Sequence, residues 1–226
     1  MGGTTLNAFA ILIARELRIE ARAREMLTGG LLIALLTLIL GHLAWENADQ
    51  PERVAAGVLW ISLTFAGTLT LSRSLHRERD RGTWEGMALL PVDWGTIYFA
   101  KAAANTIVLL TIEAILLPLY AVLFNFDVIS PLPKLIPVLL LGTIGFCAAG
   151  TLLAALSSHG RAREILLPIL LLPLLIPLLM MSLQATHKIL LGVPSSQLLA
   201  EHELLLAFDA IYLAIGWLTF DYVLGE

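Results

Sequence analysis

"LTGGLLIALLTLILGHLAW", residues 27–45, runs nineteen residues without an Asp, Glu, Lys or Arg. A helix needs about 20 predominantly apolar residues to cross a hydrocarbon layer roughly 30 Å thick. This stretch therefore reads as a transmembrane helix. Five further segments of the same kind follow outward from it, at residues 54–72, 102–124, 135–156, 165–183 and 204–224. Each must be helical, because backbone groups in lipid have no water to bond and must be satisfied within the segment. Composition agrees: of 226 residues 58% are apolar and 14% charged, against about 25% charged in soluble domains. Mean hydropathy is +0.84. The predicted fold class is an all-α membrane protein of six transmembrane helices, preceded by a cytoplasmic interfacial amphipathic helix, in one transmembrane domain over residues 1–226.

Lysine and arginine set the expected orientation, since they are retained on the cytoplasmic side. Arg15, Arg18, Arg22, Arg24, Arg73, Arg77, Arg79, Arg81, Lys101, Arg161 and Arg163 fall on one side of these spans, and only Arg53, Lys134 and Lys188 on the other. Both termini are therefore expected in the cytoplasm, with "WENADQPER" and "ATHKILLGVPSSQLLAEHE" outside. Residues 5–26 read as the interfacial helix. Arg15, Arg18 and Arg22 recur at helical spacing opposite Leu6, Phe9, Ile13 and Leu17, while Glu16 and Glu20 intrude on the apolar side. Glu20 and Arg24 have the spacing of an i,i+4 pair.

Several classes of chemistry have no residues to carry them. The single cysteine, Cys147, lies in an apolar run and makes no C-x-x-C-H haem-attachment motif. The glycines of "GTIGFCAAG" (142–150) lack the lysine of a phosphate-binding loop, so energy for driven transport must come from another subunit. No metal-binding helix motif or serine elbow supports an enzyme, and no nucleic-acid partner is expected. His42, His187 and His202 fall on the outer side, where imidazole is a possible axial haem ligand. None has a tryptophan-rich neighbourhood. His76 and His159 are on the cytoplasmic side.

Polar residues inside spans are functional candidates because charge in the bilayer is costly. Glu113 sits midway along the third span, with Thr106 and Tyr120 seven residues either side and so on nearly the same face. The stripe is expected to face other helices, either as a hydrogen-bonded joint or as a gate in an autonomous transporter or channel. Asp209 and Asp221 lie nearer the ends of the last span, with access to water. In the fourth span Gly142, Gly145, Ala149, Gly150 and Ala154 include two small-x-x-x-small pairs that favour close helix approach, within the chain or between two copies. In the fifth span Pro168, Pro173 and Pro177 each remove an intrahelical hydrogen bond and invite a kink.

Residues 73–101 read as the longest cytoplasmic loop, and within it "HRERDRGTWEGMALLP" (76–91) sets a charged cluster before Trp84, Met87, Leu89 and Leu90. A short helix that docks in a partner's groove has this composition, as does a solvated loop whose aromatics Trp94 and Tyr98 sit among headgroups. "SRSLHRERDRGTWEGMALLPVDWGTIYFAK" (72–101) resembles the cytoplasmic loop of ABC-2-type transport permeases: Arg73, Glu78, Gly82, Thr83, Trp84, Glu85, Leu89, Leu90, Pro91 and Lys101 stand at that group's marked positions. "LLLGTIGFCAAGTLLAAL" (139–156) and "REILLPILLLPLLIPLLMMSLQAT" (163–186) are similar to the fourth and fifth helices of the haem exporter protein B family, CcmB.

The resemblance implies an ABC-2-type permease fold and a non-catalytic membrane subunit serving c-type cytochrome maturation in a bacterial inner membrane. Its implied partners are the ATPase CcmA, the membrane proteins CcmC and CcmD, and the haem chaperone CcmE, with haem as a possible transported or handled ligand. Two copies of the chain per complex are expected, since ABC motors work as ATPase pairs. The implied ATPase-coupling residues are Arg73, Arg77, Glu78, Arg79, Asp80, Gly82, Thr83, Trp84, Glu85, Leu89, Leu90 and Pro91.

Overall fold

The computed structural model describes residues 2–45, 48–80, 92–125, 130–157 and 163–224. Seven α-helices run through them: α1 (Gly2–Ala23), α2 (Glu25–Trp45), α3 (Pro51–Asp80), α4 (Trp94–Phe124), α5 (Leu132–Leu156), α6 (Arg163–Leu190) and α7 (Leu199–Leu224). The last six are long and apolar enough to cross a membrane, and the described residues contain no strand. The all-α, multi-pass fold class expected from the sequence is the one observed.

Helix boundaries follow local chemistry. Arg24 takes a left-handed conformation (φ 56°) that ends α1 and turns the chain into α2. The Glu20 carboxylate then accepts hydrogen bonds from the Met26 and Leu27 amides at 2.9 and 3.0 Å, satisfying N–H groups that the first turn of any helix leaves without partners. Pro51 opens α3, where its missing N–H costs nothing. Asp93 caps α4 by accepting from the Thr96 amide, and Asn125 ends that helix in the left-handed region at φ 51°. At the end of α6, Gly192 (φ 77°) makes a Schellman turn: the Val193 amide reaches the Lys188 carbonyl and the Gly192 amide that of Ile189, each at 3.0 Å.

Hydropathy marks where the membrane ends, and helices do not stop there. α3 continues to Asp80 and α4 already begins at Trp94, so both ends of the stretch read from sequence as a 73–101 loop are helical. Arginine and glutamate are good helix formers, and no glycine or proline occurs between Gly67 and Gly82. At about 1.5 Å per residue α3 is about 45 Å long, well beyond a 30 Å hydrocarbon layer. α6 likewise runs unbroken from Arg163 to Leu190 with Pro168, Pro173 and Pro177 inside it.

Packing centres on α5. Within its most apolar stretch 78% of residues are buried, against 22% for α7, and α3, α4, α6 and α7 all pack on it. Its small residues make this possible. Gly142 lies against the Trp60 indole and Ser182, Gly145 against Leu178, Phe208 and Asp209, and Gly150 against Leu71. Ala149 and Ala154 are buried as well. These positions are filled by the chain's own side chains, the within-chain arrangement of the two that the sequence allowed. Outer faces of α2, α6 and α7 expose Leu32, Leu36, Ile176, Leu206 and Leu218, as a lipid-facing surface does.

Candidate functional site

Glu113 is 3% exposed and accepts a hydrogen bond from the Thr143 hydroxyl of α5. A further polar contact joins the same helices: Asn105 donates to Thr151 Oγ1 at 3.1 Å. Because α4 and α5 run antiparallel, Asn105–Thr151 and Glu113–Thr143 form successive rungs along one seam. Of the stripe expected from sequence, Glu113 belongs to this seam. Tyr120 is buried against Phe124, ring centroids 4.9 Å apart, and its hydroxyl has no hydrogen-bond partner among the described residues. The α5 partners Thr143 and Thr151 were not singled out by sequence, since a threonine in an apolar run commonly bonds its own helix's carbonyls, as Thr106 also does to Ala102 at 2.8 Å.

A second polar group lies where α1 meets α4. Leu12, Glu16 and Glu20 share the buried face of α1. Lys101 is 5% exposed, and its Nζ stands 3.8 Å from Glu16 Oε1, which also receives Arg15 at 3.3 Å. Glu16, Glu20, Ser74, Lys101 and Asn105 line one small void between α1, α3 and α4. The two glutamates that intruded on the apolar side in sequence are thus the pieces that fasten α1: one to α4, the other to the start of α2.

Of the coupling segment, Arg73 is described. Its guanidinium donates to the Glu25 carbonyl at 3.2 Å and packs over Gly29. Arg77, Glu78, Arg79 and Asp80 belong to the last turns of α3, but their side chains lie outside the described residues. Gly82, Thr83, Trp84, Glu85, Leu89, Leu90 and Pro91 lie outside them altogether.

At the opposite end the Lys188 ammonium meets Glu201 at 2.6 Å, and Lys134 donates to the Val193 carbonyl at 3.1 Å, tying the α6–α7 turn to α5. Asp209 departs from its expected place beside water. It is 5% exposed and turned onto Gly145, with Oδ1 lacking a partner among the described residues. His202 Nδ1 is 2.6 Å from the Leu198 carbonyl. His42 is stacked on Trp45 and edge-on to Phe124, at 5.7 and 5.5 Å, with Nδ1 buried and without a partner among the described residues. A metal-ligating imidazole usually donates its second N–H to a fixed acceptor, and among the described residues His42 Nδ1 meets none. Among the described residues no three His, Cys, Asp or Glu side chains converge on a metal position.

A helical bundle with an apolar girdle, a short polar seam inside and its charges gathered at two ends is a multi-pass membrane protein. A family model described as CcmB protein matches residues 7–223, and the chain belongs to that family. Among curated relatives, the heme exporter protein B of Pseudomonas aeruginosa is 29% identical over 191 residues, 84% of this chain and 85% of that one. That of Rhodobacter capsulatus is 29% identical over 181 residues, 78% and 81% of the two chains. That of Bradyrhizobium diazoefficiens is 26% identical over 216 residues, 93% and 94%.

Proposed function

We propose that this chain is the membrane permease subunit of an ATP-driven haem export or haem-chaperone release complex for c-type cytochrome biogenesis. Its place is the inner membrane of a bacterium, with both termini cytoplasmic. Family membership over residues 7–223 carries this reading, together with relatives that bear the name heme exporter protein B. The chain supplies no phosphate-binding loop, so its role is that of a transport subunit rather than an enzyme. Energy arrives from the ATP-binding partner CcmA, and CcmC, CcmD and CcmE complete the assembly.

The coupling element is the segment around residues 76–91. Two features support this: α3 carries the chain well past the membrane before Gly82, and Asp93 caps a fresh helix just beyond Pro91. Trp84, Leu89 and Leu90 fill a groove on the ATPase, while Arg77 and Glu85 pair at its rim, where charges set association rate and salt dependence more than affinity. The test is retention of the ATPase during purification. Trp84→Ala should weaken it more than any single rim charge, since buried aromatic anchors carry about 2 kcal/mol or more of an interface. A Trp84→Ala, Glu85→Ala variant that keeps the ATPase and still matures cytochromes c overturns the assignment. Glu113 serves as a helix joint in this reading, as its bond to Thr143 favours.

A further inference from the structure

α1 divides its charges in an unusual way. Both of its acids point inward: Glu16 and Glu20 are 8% and 2% exposed and are spent on Lys101 and on the α2 amides. Arg15, Arg18 and Arg22 occupy the opposite, exposed face at i, i+3 and i+7, and Arg24 is exposed in the corner that follows. Arg15 leans on Glu16. The guanidinium groups of Arg18, Arg22 and Arg24 make no hydrogen bond or ion pair within the chain among the described residues. Glu25, the first residue of α2, Asp93 before α4 and Asp221 near the end of α7 are exposed acids, and none of them pairs with these three arginines among the described residues.

The depth of this face is fixed by what α1 packs on. Leu12 is buried with Ile97 and Tyr98 at the start of α4, Leu152 and Ala155 at the end of α5, and Phe220 at the end of α7. Three spans terminate at this level. Trp217 and Tyr222, 54% and 80% exposed, stand at the same end of α7, and exposed Trp and Tyr gather at the membrane–water boundary. A row of unpaired arginines at headgroup depth, with its counter-charges sequestered, is complementary to phosphate.

We propose that the outward face of α1, through Arg18, Arg22 and Arg24, binds anionic phospholipid headgroups of the leaflet in which it lies. Each guanidinium offers a fork of N–H donors matched to phosphate oxygens. The buried acids serve this by leaving the face uniformly basic while fastening the helix at a fixed height. The inference rests on α1 lying at the membrane surface and not on the coupling role of residues 76–91.

The test uses the purified full-length chain without its partners. Detergent-solubilised protein is offered equimolar phosphatidylglycerol and phosphatidylcholine, and bound lipids are counted by native mass spectrometry at low and high salt. A preference for phosphatidylglycerol that fades with salt is expected. Each basic residue near a lipid surface contributes roughly a fivefold effect, so Arg18→Gln, Arg22→Gln, Arg24→Gln together should cut the preference by at least about tenfold. The matching triple Lys variant should keep it, as should Arg53→Gln, an exposed arginine at the other end. A helical signal and melting temperature unchanged in the Gln variant show that the chain still folds. If the wild type shows no preference, or the folded Gln variant keeps it, the proposal is wrong. If the folded Gln variant keeps its lipid preference and, in a separate purification from membranes with the complex, no longer retains the ATPase, the face belongs to a protein partner.

Discussion

Single side chains here are held by few but specific bonds. Glu113 needs an acceptor oxygen for the Thr143 hydroxyl, and glutamine keeps one in the same place. Glu113→Gln should therefore leave both assembly and cytochrome c maturation intact. If maturation falls while the complex still assembles, the carboxylate must ionise, and the helix-joint reading gives way to a gate. Lys101 and Glu16 behave differently because both are charged and nearly buried. Removing Lys101 takes away the buried cation beside Glu16 and leaves it the more exposed Arg15, so part of the cost of about 3 kcal/mol or more seen when buried pairs are broken is expected. Lys101→Met should lower the melting temperature measurably in detergent. Glu16→Gln added to it should restore part of the loss; a double variant as unstable as the sum of the two singles would show that the pair is not coupled. That Glu16 belongs to such a pair was only half legible. Its misfit on the apolar side of a helical wheel was visible in sequence, but the lysine 85 positions away that accounts for it becomes a neighbour only when α1 folds back on α4.

The helices themselves were the most legible part, for a physical reason: in lipid, local hydropathy and backbone satisfaction leave an apolar run no alternative to a helix. What hydropathy does not report is where a helix continues in water, hence the extra turns of α3, or what fills a small residue's groove. Glycines of the fourth span signalled close approach, yet their partners are side chains from three other helices, Trp60, Leu71 and Leu178 among them. This gives a graded prediction. Gly142→Ala drives a methyl into the Trp60 ring and should destabilise by about 1–3 kcal/mol, as overpacking does. Gly57→Ala meets nothing nearer than Leu183 Cδ1 at 3.7 Å, and the helix propensity of alanine should make it neutral or stabilising. Thermal unfolding of the two variants in the same detergent decides the matter; equal melting temperatures would mean that the bundle gives way around α5 at no cost.

For the whole molecule, the centrality of α5 constrains how two copies can meet. ABC motors act as ATPase pairs, so if residues 76–91 couple the chain to an ATPase as proposed, two copies should meet two ATPases, and native mass measurement of the purified complex should show that ratio. A single copy per two ATPases would defeat it. The contact cannot run along the glycine face of α5, which α3, α6 and α7 already occupy, and must use an outer face of the bundle. Crosslinking can find it, because the native thiol of Cys147 is buried and silent. Leu36→Cys on α2, Ile176→Cys on α6 and Leu218→Cys on α7 sample three exposed faces, while Ala149→Cys samples the interior of the bundle. In membranes at least one of the three exposed positions should form a disulfide-linked dimer under mild oxidation, and Ala149→Cys should form none. A dimer linked through Ala149→Cys in a folded complex would mean that two copies exchange helices around α5, and the single-chain bundle described for this protein would then be only half of its functional packing unit.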